Sequence, residues 1–86
     1  MFEVKLDRQA EKFLDTCEKI LFDRIVSKLK LLKENPIPHD AKRMVGYENP
    51  TFRIRIGKYR ALYRVNYEEN RVIVVKIDKR PKVYME

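Results

Sequence analysis

Cationic and apolar side chains alternate through residues 51–65, on both sides of the pair Gly57-Lys58. A period of two sends neighbouring side chains to opposite faces of a β-strand. Two such runs joined by a Gly-first pair predict a β-hairpin with a two-residue type II′ turn. This turn sets the register of the two strands, which pairs Ile56 with Tyr59, Arg55 with Arg60, Ile54 with Ala61, Arg53 with Leu62 and Phe52 with Tyr63.

The predicted register places Arg53, Arg55 and Arg60 on one face of the hairpin. Like charges in opposite positions destabilise strand pairing, and a bound anion would relieve the repulsion between Arg55 and Arg60. Arginine suits phosphate because its planar guanidinium donates two hydrogen bonds and stays charged. Residues 53–64 contain five cations and no carboxylate, whereas a face that is only solvated normally mixes both signs. We therefore predict a phosphate-binding face on a small sheet.

Composition predicts a single domain, residues 1–86, with a polyanionic partner. A chain of this length buries only roughly 60–65% of the surface that its unfolded form exposes, enough for one two-layer core. The net charge of +7 favours encounter with nucleic acid or with an acidic protein and does not distinguish between them. Cys17 is the only cysteine, so no intramolecular disulfide can form. No apolar run has signal-peptide or transmembrane length, and we expect a cytoplasmic protein.

The first half of the chain predicts a strand followed by two helices. Residues 2–6 alternate as a strand, and Asp7 can cap the next helix because its carboxylate accepts from free backbone N–H groups. Apolar residues at helical spacing predict a helix from about Arg8 to Thr16 and a second helix over residues 21–32. We place a break between the helices near Cys17, and one uninterrupted helix is the alternative. Cys17 lies on the apolar stripe, so a core role is expected for it. Two prolines then end the second helix.

A polar segment, residues 39–50, predicts a loop before the hairpin. His39 in this loop has no partner at catalytic or metal-ligand spacing, and we expect it on the surface. Lys42 and Arg43 either extend the cationic face or are solvated, and we include them as predicted secondary phosphate contacts. The whole pattern predicts an α+β, two-layer fold. An N-terminal strand and an α-helical hairpin pack on a small, mainly antiparallel four-stranded sheet in the order β-α-α-β-β-β.

A three-residue turn, residues 68–70, leads to a last predicted strand from Arg71 to Asp78. The same register places Asp78 opposite Arg60. A cross-strand carboxylate would neutralise Arg60 without any phosphate, so an ion pair with Asp78 is the structural alternative for this arginine. The turn length pairs Val65 with Ile73, Tyr63 with Val75 and Ala61 with Ile77.

Common catalytic motifs do not occur in the sequence. We find no glycine-rich phosphate loop, no metal-binding cluster and no Ser/His/Asp set, and we expect no metal and no cofactor. Cations and a phenol could still cleave RNA through its 2′-hydroxyl. That reaction needs a base for the hydroxyl, positive charge for the phosphorane and a donor for the departing 5′-oxygen. Arginine suits the second task and is poorly suited to proton transfer.

The chain resembles the RelE toxins of the RelE/ParE superfamily over nearly its whole length. The likeness rests on the order of elements and on Gly46-Tyr47 ahead of residues 52–56, Tyr59-Arg60 leading to Tyr63, and Lys79-Arg80 followed by Tyr84. This resemblance implies a toxin of a type II toxin–antitoxin system, a metal-independent endoribonuclease that cuts mRNA in the ribosomal A site and inhibits translation. The implied partners are the ribosome, mRNA and a RelB-like antitoxin that covers the active face in a hetero-oligomer.

The resemblance also implies a role for each site residue. Arg60 matches the arginine that holds the scissile phosphate, Arg80 the arginine that assists the leaving oxygen, and Tyr84 the tyrosine proposed as base or stacking platform. Arg53 and Arg55 match two positions that bind the RNA backbone, where the best-studied members carry lysine. The predicted catalytic set is Arg55, Arg60, Arg80 and Tyr84, and the predicted RNA-phosphate contacts are Arg53, Arg55, Lys58, Lys79, Lys42 and Arg43.

Two other functions stay open on the sequence. ParE-like toxins share the fold and act by binding DNA gyrase, but they lack the cationic catalytic set described above. A non-catalytic RNA-binding module is the third possibility, since charge and arginines alone also suit binding without cleavage.

Overall fold

The computed structural model describes residues 1–79, in which one mixed sheet carries two helices on one side. Within these residues the sheet has five strands in the order β1-β5-β4-β3-β2. Its first strand runs parallel to the last, and all other neighbours are antiparallel. The elements are β1 (Glu3–Leu6), α1 (Arg8–Thr16), α2 (Lys19–Glu34), β2 (Lys42–Met44), β3 (Thr51–Ile56), β4 (Tyr59–Asn66) and β5 (Arg71–Lys79).

The first helix has the predicted cap, and the second ends at Glu34, before the prolines, as predicted. The Asp7 carboxylate accepts from the backbone N–H of Arg8 at 2.9 Å, which satisfies one free donor at the start of α1. The helix ends at Thr16, and Cys17 follows in an extended conformation, which confirms the predicted break. Neither helix in the described part of the chain has the length and apolar composition that a membrane crossing requires.

The two sides of the sheet have different chemistry. We call the side that packs on α1 and α2 the inner face and the opposite side the outer face. The inner face is apolar, as the alternation predicted, and it forms one core with the helices. Buried members of this core include Ile25, Leu29 and Leu32 of α2, Ile54 of β3, Tyr63 of β4 and Val74 of β5.

The β3–β4 hairpin has the predicted turn. Gly57 adopts φ +60, and Lys58 has no positive φ, which together define a type II′ turn. A Cβ added at Gly57 would lie 3.1 Å from Nη2 of Arg24, so both the backbone conformation and the limited space favour glycine. Every strand pair predicted for this hairpin is present.

The predicted loop over residues 39–50 contains a short strand. β2 pairs antiparallel with residues 51–53 of β3, so the sheet in residues 1–79 has five strands and not the predicted four. The α+β class is confirmed. Three residues are too few to show alternation, and the neighbouring Gly46 and Pro50 give the segment the composition of a loop.

The β4–β5 connection also differs from the prediction. Its turn contains four residues, Tyr67–Asn70, and not three, and Asn70 closes the turn with φ +52. The predicted pairs of Val65 with Ile73 and Tyr63 with Val75 are therefore wrong. The observed pairs are Val65 with Val72 and Tyr63 with Val74.

A β-bulge restores the predicted register further along β5. The pairing shifts between Leu62 and Tyr63, and this shift leaves Val75 as an extra residue on β5. Beyond the bulge, the predicted pairs of Ala61 with Ile77 and Arg60 with Asp78 are present. A one-residue change in register exchanges the two faces of a strand, so the bulge offsets the longer turn and keeps apolar residues on the inner face.

Candidate nucleic-acid interface

The outer face brings together cations from three strands. Arg53 and Arg55 alternate with inner-face residues along β3, Arg60 of β4 lies opposite Arg55, and Lys42 of β2 lies opposite Arg53. Residues that lie opposite each other in a ladder project from the same face. Four of the predicted site residues therefore occupy neighbouring positions on the outer face.

Arg60 is half-buried and is held against the hairpin turn. Its Nη1 donates to the carbonyl oxygen of Gly57 at 3.1 Å and to that of Tyr59 at 3.0 Å. Its Nε is buried and has no hydrogen-bond partner among residues 1–79. The two carbonyl contacts fix the guanidinium without neutralising its charge, so Arg60 is positioned for an anion at the turn end of the outer face.

Arg53 is almost completely buried, with 8% of its surface exposed. Its Nε is also buried and has no hydrogen-bond partner in the described part of the chain. Buried charged groups in proteins are normally paired, because loss of hydration is costly. Arg53 therefore has hydrogen-bonding capacity that the described residues leave unused.

Arg55 is exposed and lines an open cleft of about 600 Å³ between the edge of β3 and α2. Two α2 cations line the same cleft: Arg24, which packs against Gly57, and Lys28. Lys28 is already paired with Asp40 at 2.6 Å, and this hydrogen bond is the main cause that lowers the pKa of the Asp40 carboxyl. The cleft charge left without a carboxylate partner among residues 1–79 thus comes from Arg24 and Arg55.

The predicted alternative for Arg60 does not form. Asp78 lies opposite Arg60, but its Oδ1 accepts from the backbone N–H of Lys79 at 2.8 Å. The ion pairs within residues 1–79 involve Lys5, Lys19, Lys28 and Arg71 as cations. No carboxylate among these residues pairs with any outer-face arginine of β3 or β4.

Three other predicted contacts lie away from the outer face. Arg43 is opposite Phe52, an inner-face residue. Lys79 is opposite Tyr59, whose ring packs on Phe13 of α1 with centroids 5.6 Å apart. Lys58 occupies the exposed turn. The roles predicted for them stay predictions, as do those of Arg80 and Tyr84, which lie outside the described residues.

Arg64 belongs to the outer face and was not among the predicted site residues. It alternates with Leu62 and Arg60 along β4 and lies between Thr51 and Ile73 of the neighbouring strands. Its Nε is buried, again with no hydrogen-bond partner in residues 1–79. The period-two pattern that identified Arg60 also places Arg64 on this face, so the signal was present in the sequence.

Among residues 1–79, Cys17 and Tyr63 lie against or within the core and not on the outer face. Cys17 packs against the core, as predicted, and burial raises the pKa of its thiol, which disfavours the reactive thiolate. Tyr63 points into the core, where burial raises the pKa of its phenol far above the usual range. His39 is exposed, as expected. Residues 1–79 contain no group of three or more His, Cys, Asp or Glu side chains that could hold a metal ion.

The outer face can therefore bind anions and stabilise negative charge. Its arginines offer planar donors whose charge does not depend on pH in the physiological range. They are poor proton donors and acceptors, so a base for a chemical step must come from another group. This arrangement suits the backbone of a nucleic acid.

A family profile described as "ParE toxin of type II toxin-antitoxin system, parDE" matches residues 4–84. The chain belongs to the RelE/ParE superfamily of toxins. It is a toxin of a type II toxin–antitoxin system, as the resemblance implied.

Individual relatives of the toxin are RelE proteins. A Methanocaldococcus jannaschii protein described as a candidate toxin, RelE1, is 31% identical over 86 aligned positions. The match covers 96% of this chain and 94% of the relative. One chain of the RelE–RelB complex from Pyrococcus horikoshii OT3 matches with a TM-score of 0.80 and 26% identity, over 92% of this toxin and 94% of that chain. One chain of the RelBE2 toxin–antitoxin complex from Mycobacterium tuberculosis matches with a TM-score of 0.78 and 25% identity. The match covers 92% of this toxin and 98% of that chain. These matches confirm a RelE-type toxin.

Proposed function

We propose that this toxin is a ribosome-dependent endoribonuclease that cleaves mRNA in the ribosomal A site. The observation that supports this proposal most strongly is the grouping of Arg53, Arg55 and Arg60 on the outer face, without a carboxylate partner among residues 1–79. A polyanion backbone would neutralise these charges and use their free donors. The resemblance to RelE toxins, which the relatives support, implies mRNA on the ribosome as that polyanion.

The proposed reaction is an internal transfer within the RNA strand. The 2′-oxygen attacks the adjacent phosphorus, the bond from phosphorus to the 5′-oxygen breaks, and the products are a 2′,3′-cyclic phosphate and a 5′-hydroxyl. One proton leaves the 2′-hydroxyl and one reaches the 5′-oxygen. Negative charge grows on the non-bridging oxygens of the phosphorane, and preorganised donors stabilise it there.

Arg60 is the residue best placed to stabilise that charge. The turn carbonyls already fix its guanidinium, so little reorientation is needed when the phosphate binds. Arg53 and Arg55 would bind the backbone beside the reacting phosphate, from the neighbouring strand. Arg80 as donor to the leaving oxygen and Tyr84 as base or stacking platform complete the proposed set.

A translation reaction supplemented with the purified toxin tests this proposal. We expect mRNA cuts at a fixed position within the A-site codon, with a 2′,3′-cyclic phosphate end. Arg60→Ala should lower the single-turnover cleavage rate about 100- to 1,000-fold, as does loss of one preorganised donor in other enzymes. The matched control is Arg71→Ala, because Arg71 also lies on the sheet but already pairs with Glu3 and Glu69. Cleavage by Arg60→Ala at the wild-type rate would remove Arg60 from the mechanism.

The same experiment distinguishes the other functions. The family profile is named for ParE toxins, and inhibition of DNA gyrase without any mRNA cleavage would support a ParE-like toxin. Binding of RNA without cuts would support a non-catalytic module. Either result would contradict the nuclease.

A RelB-like antitoxin is the proposed protein partner. The Pyrococcus and Mycobacterium relatives occur in complexes with their antitoxins. The net charge of +7 favours an acidic partner. We expect the two proteins to form a hetero-oligomer in the cytoplasm, where translation takes place. Loss of cleavage when the antitoxin is added would support this assignment.

A further inference from the structure

Arg64 marks the end of the outer face that is remote from the hairpin turn. Arg60 and Arg64 project from the same face of β4, four residues apart, which corresponds to roughly 13 Å along a strand. Arg60 is also tied to the turn carbonyls of Gly57 and Tyr59, which direct its guanidinium away from Arg64. The two arginines are therefore too far apart to hold one phosphate between them.

Arg64 lines two open clefts. One has a volume of about 520 Å³ and is lined by Asn49, Pro50, Arg64 and Tyr67, among others. The second has a volume of about 350 Å³ and is bordered by Tyr47 and Arg64. Arg64 is thus accessible to a ligand although its Nε is buried without a hydrogen-bond partner in residues 1–79.

Tyr67 gives the larger cleft an aromatic surface. The residue is 59% exposed, and its ring contacts Phe2 edge-on with centroids 5.6 Å apart. An exposed aromatic ring that is fixed by a neighbour is a suitable platform for a nucleobase. Exposed Glu68 also lines this cleft, but neither it nor any other carboxylate in the described residues forms an ion pair with Arg64.

We propose that Arg64 and Tyr67 form a second nucleotide subsite, in which Arg64 binds a phosphate beyond the scissile one and Tyr67 stacks on the attached base. This inference rests on the proposed function, because the strand must cross the outer face from the Arg60 end. RNA fits better than an acidic peptide because the cleft combines a phosphate donor with a stacking ring, and a peptide carboxylate would use only the donor.

Binding of non-cleavable RNA to the full-length toxin tests the subsite. The probe is a fluorescent hexanucleotide with 2′-O-methyl groups, which lack the attacking hydroxyl, titrated at several salt concentrations. We expect Arg64→Gln to weaken binding about tenfold and to reduce the slope of log affinity against log salt by about 0.7, the value for one phosphate contact to a single strand.

Matched variants separate charge, stacking and folding. Arg71→Gln removes the same charge from β5, where Arg71 lies opposite Asn66. Arg71 is already paired with Glu3 and Glu69, so we expect this variant to bind as wild type does. Tyr67→Ala should weaken binding about tenfold with an unchanged salt slope, and Tyr67→Phe should bind as wild type does. Arg64→Lys keeps the positive charge and should keep the wild-type slope of log affinity against log salt. This result would show that the change in Arg64→Gln comes from loss of charge and not from a folding defect.

Several outcomes would overturn the subsite. It is rejected if the hexanucleotide does not bind wild type at 50 mM salt, or if Arg64→Gln and Arg71→Gln have the same salt slope. A loss of affinity by Arg64→Gln for a polyglutamate peptide but not for the hexanucleotide would assign Arg64 to an acidic protein partner instead. Wild-type toxin that binds the hexanucleotide through Arg64 but never cuts mRNA would reject the nuclease and retain the subsite.

Discussion

The inner and outer faces of the sheet are built from the same strands, yet they differ in how completely their groups are satisfied. On the inner face, alternate residues of β3, β4 and β5 are buried against α1 and α2 in one apolar core. On the outer face, Arg53, Arg60 and Arg64 each have a buried Nε with no partner among residues 1–79. The inner face supplies stability, and the outer face retains unused donors and charge.

This difference indicates where function lies. A protein selected only for stability would place mixed charges on an exposed sheet face and would pair a buried guanidinium. Arg71 shows that the chain can pair an arginine with carboxylates on this sheet, since Glu3 and Glu69 both pair with it. Sites that depart from such rules are typically functional, because the ligand completes the missing interactions.

The largest expected effect on stability comes from a substitution that disrupts packing on the inner face. Ile54 is fully buried in the core, and Ile54→Ala should lower the free energy of unfolding by about 2–5 kcal/mol, since it removes apolar contacts and leaves a cavity. Urea denaturation measures this loss. The graded control Ile54→Val should cost about 0.5–1.5 kcal/mol. A loss below 1 kcal/mol for Ile54→Ala would mean that the inner face is not the principal source of stability.

The elements that sequence predicted best are those whose signals are local. Asp7, the prolines after α2 and Gly57 act through neighbouring backbone groups, so they specified the helix limits and the hairpin register. β2 and the bulge at Val75 are set by hydrogen-bonded pairing with a neighbouring strand. No local pattern reports such neighbours, because tertiary context decides them.

The candidate site was also predictable where its signal was local and not where it depended on strand pairing. Alternation placed Arg53, Arg55 and Arg60 on one face and should have included Arg64. It did not place Arg43 on the opposite side, because that position follows from the register of the unpredicted β2. The absence of an ion pair between Arg60 and Asp78 in the described residues was not predictable either, since side-chain orientation decides whether opposite residues meet.

A smaller effect should come from an inner-face side chain, Tyr63, whose polar group is unsatisfied within residues 1–79. Tyr63 is fully buried, and its hydroxyl has no hydrogen-bond partner among residues 1–79. A buried polar group without a partner costs about 1–3 kcal/mol, so Tyr63→Phe should raise the free energy of unfolding by about 1 kcal/mol or more. Urea denaturation again measures it, and Tyr47→Phe in an exposed loop is the control. Destabilisation by Tyr63→Phe would show that the hydroxyl has a partner and that the inner face is fully satisfied.

The smallest stability effect is expected for Arg55→Gln on the outer face. It tests the difference between the two faces most directly. Arg55 lies directly opposite Arg60, and like charges in that position destabilise a strand pair by about 0.2–1 kcal/mol. Arg55→Gln should therefore stabilise the free toxin by this amount while it weakens RNA binding, because the bound phosphate that offsets the repulsion loses a donor.

Thermal unfolding in low salt measures the effect of Arg55→Gln on stability, and hexanucleotide titration measures its effect on RNA binding. Lys5→Gln on β1 is the control for charge removal. High salt should abolish the stability gain, since it screens the repulsion between exposed charges. If Arg55→Gln instead destabilises the free toxin, Arg55 has a structural role, and the contrast between a stabilising inner face and a ligand-dependent outer face would not hold at this residue.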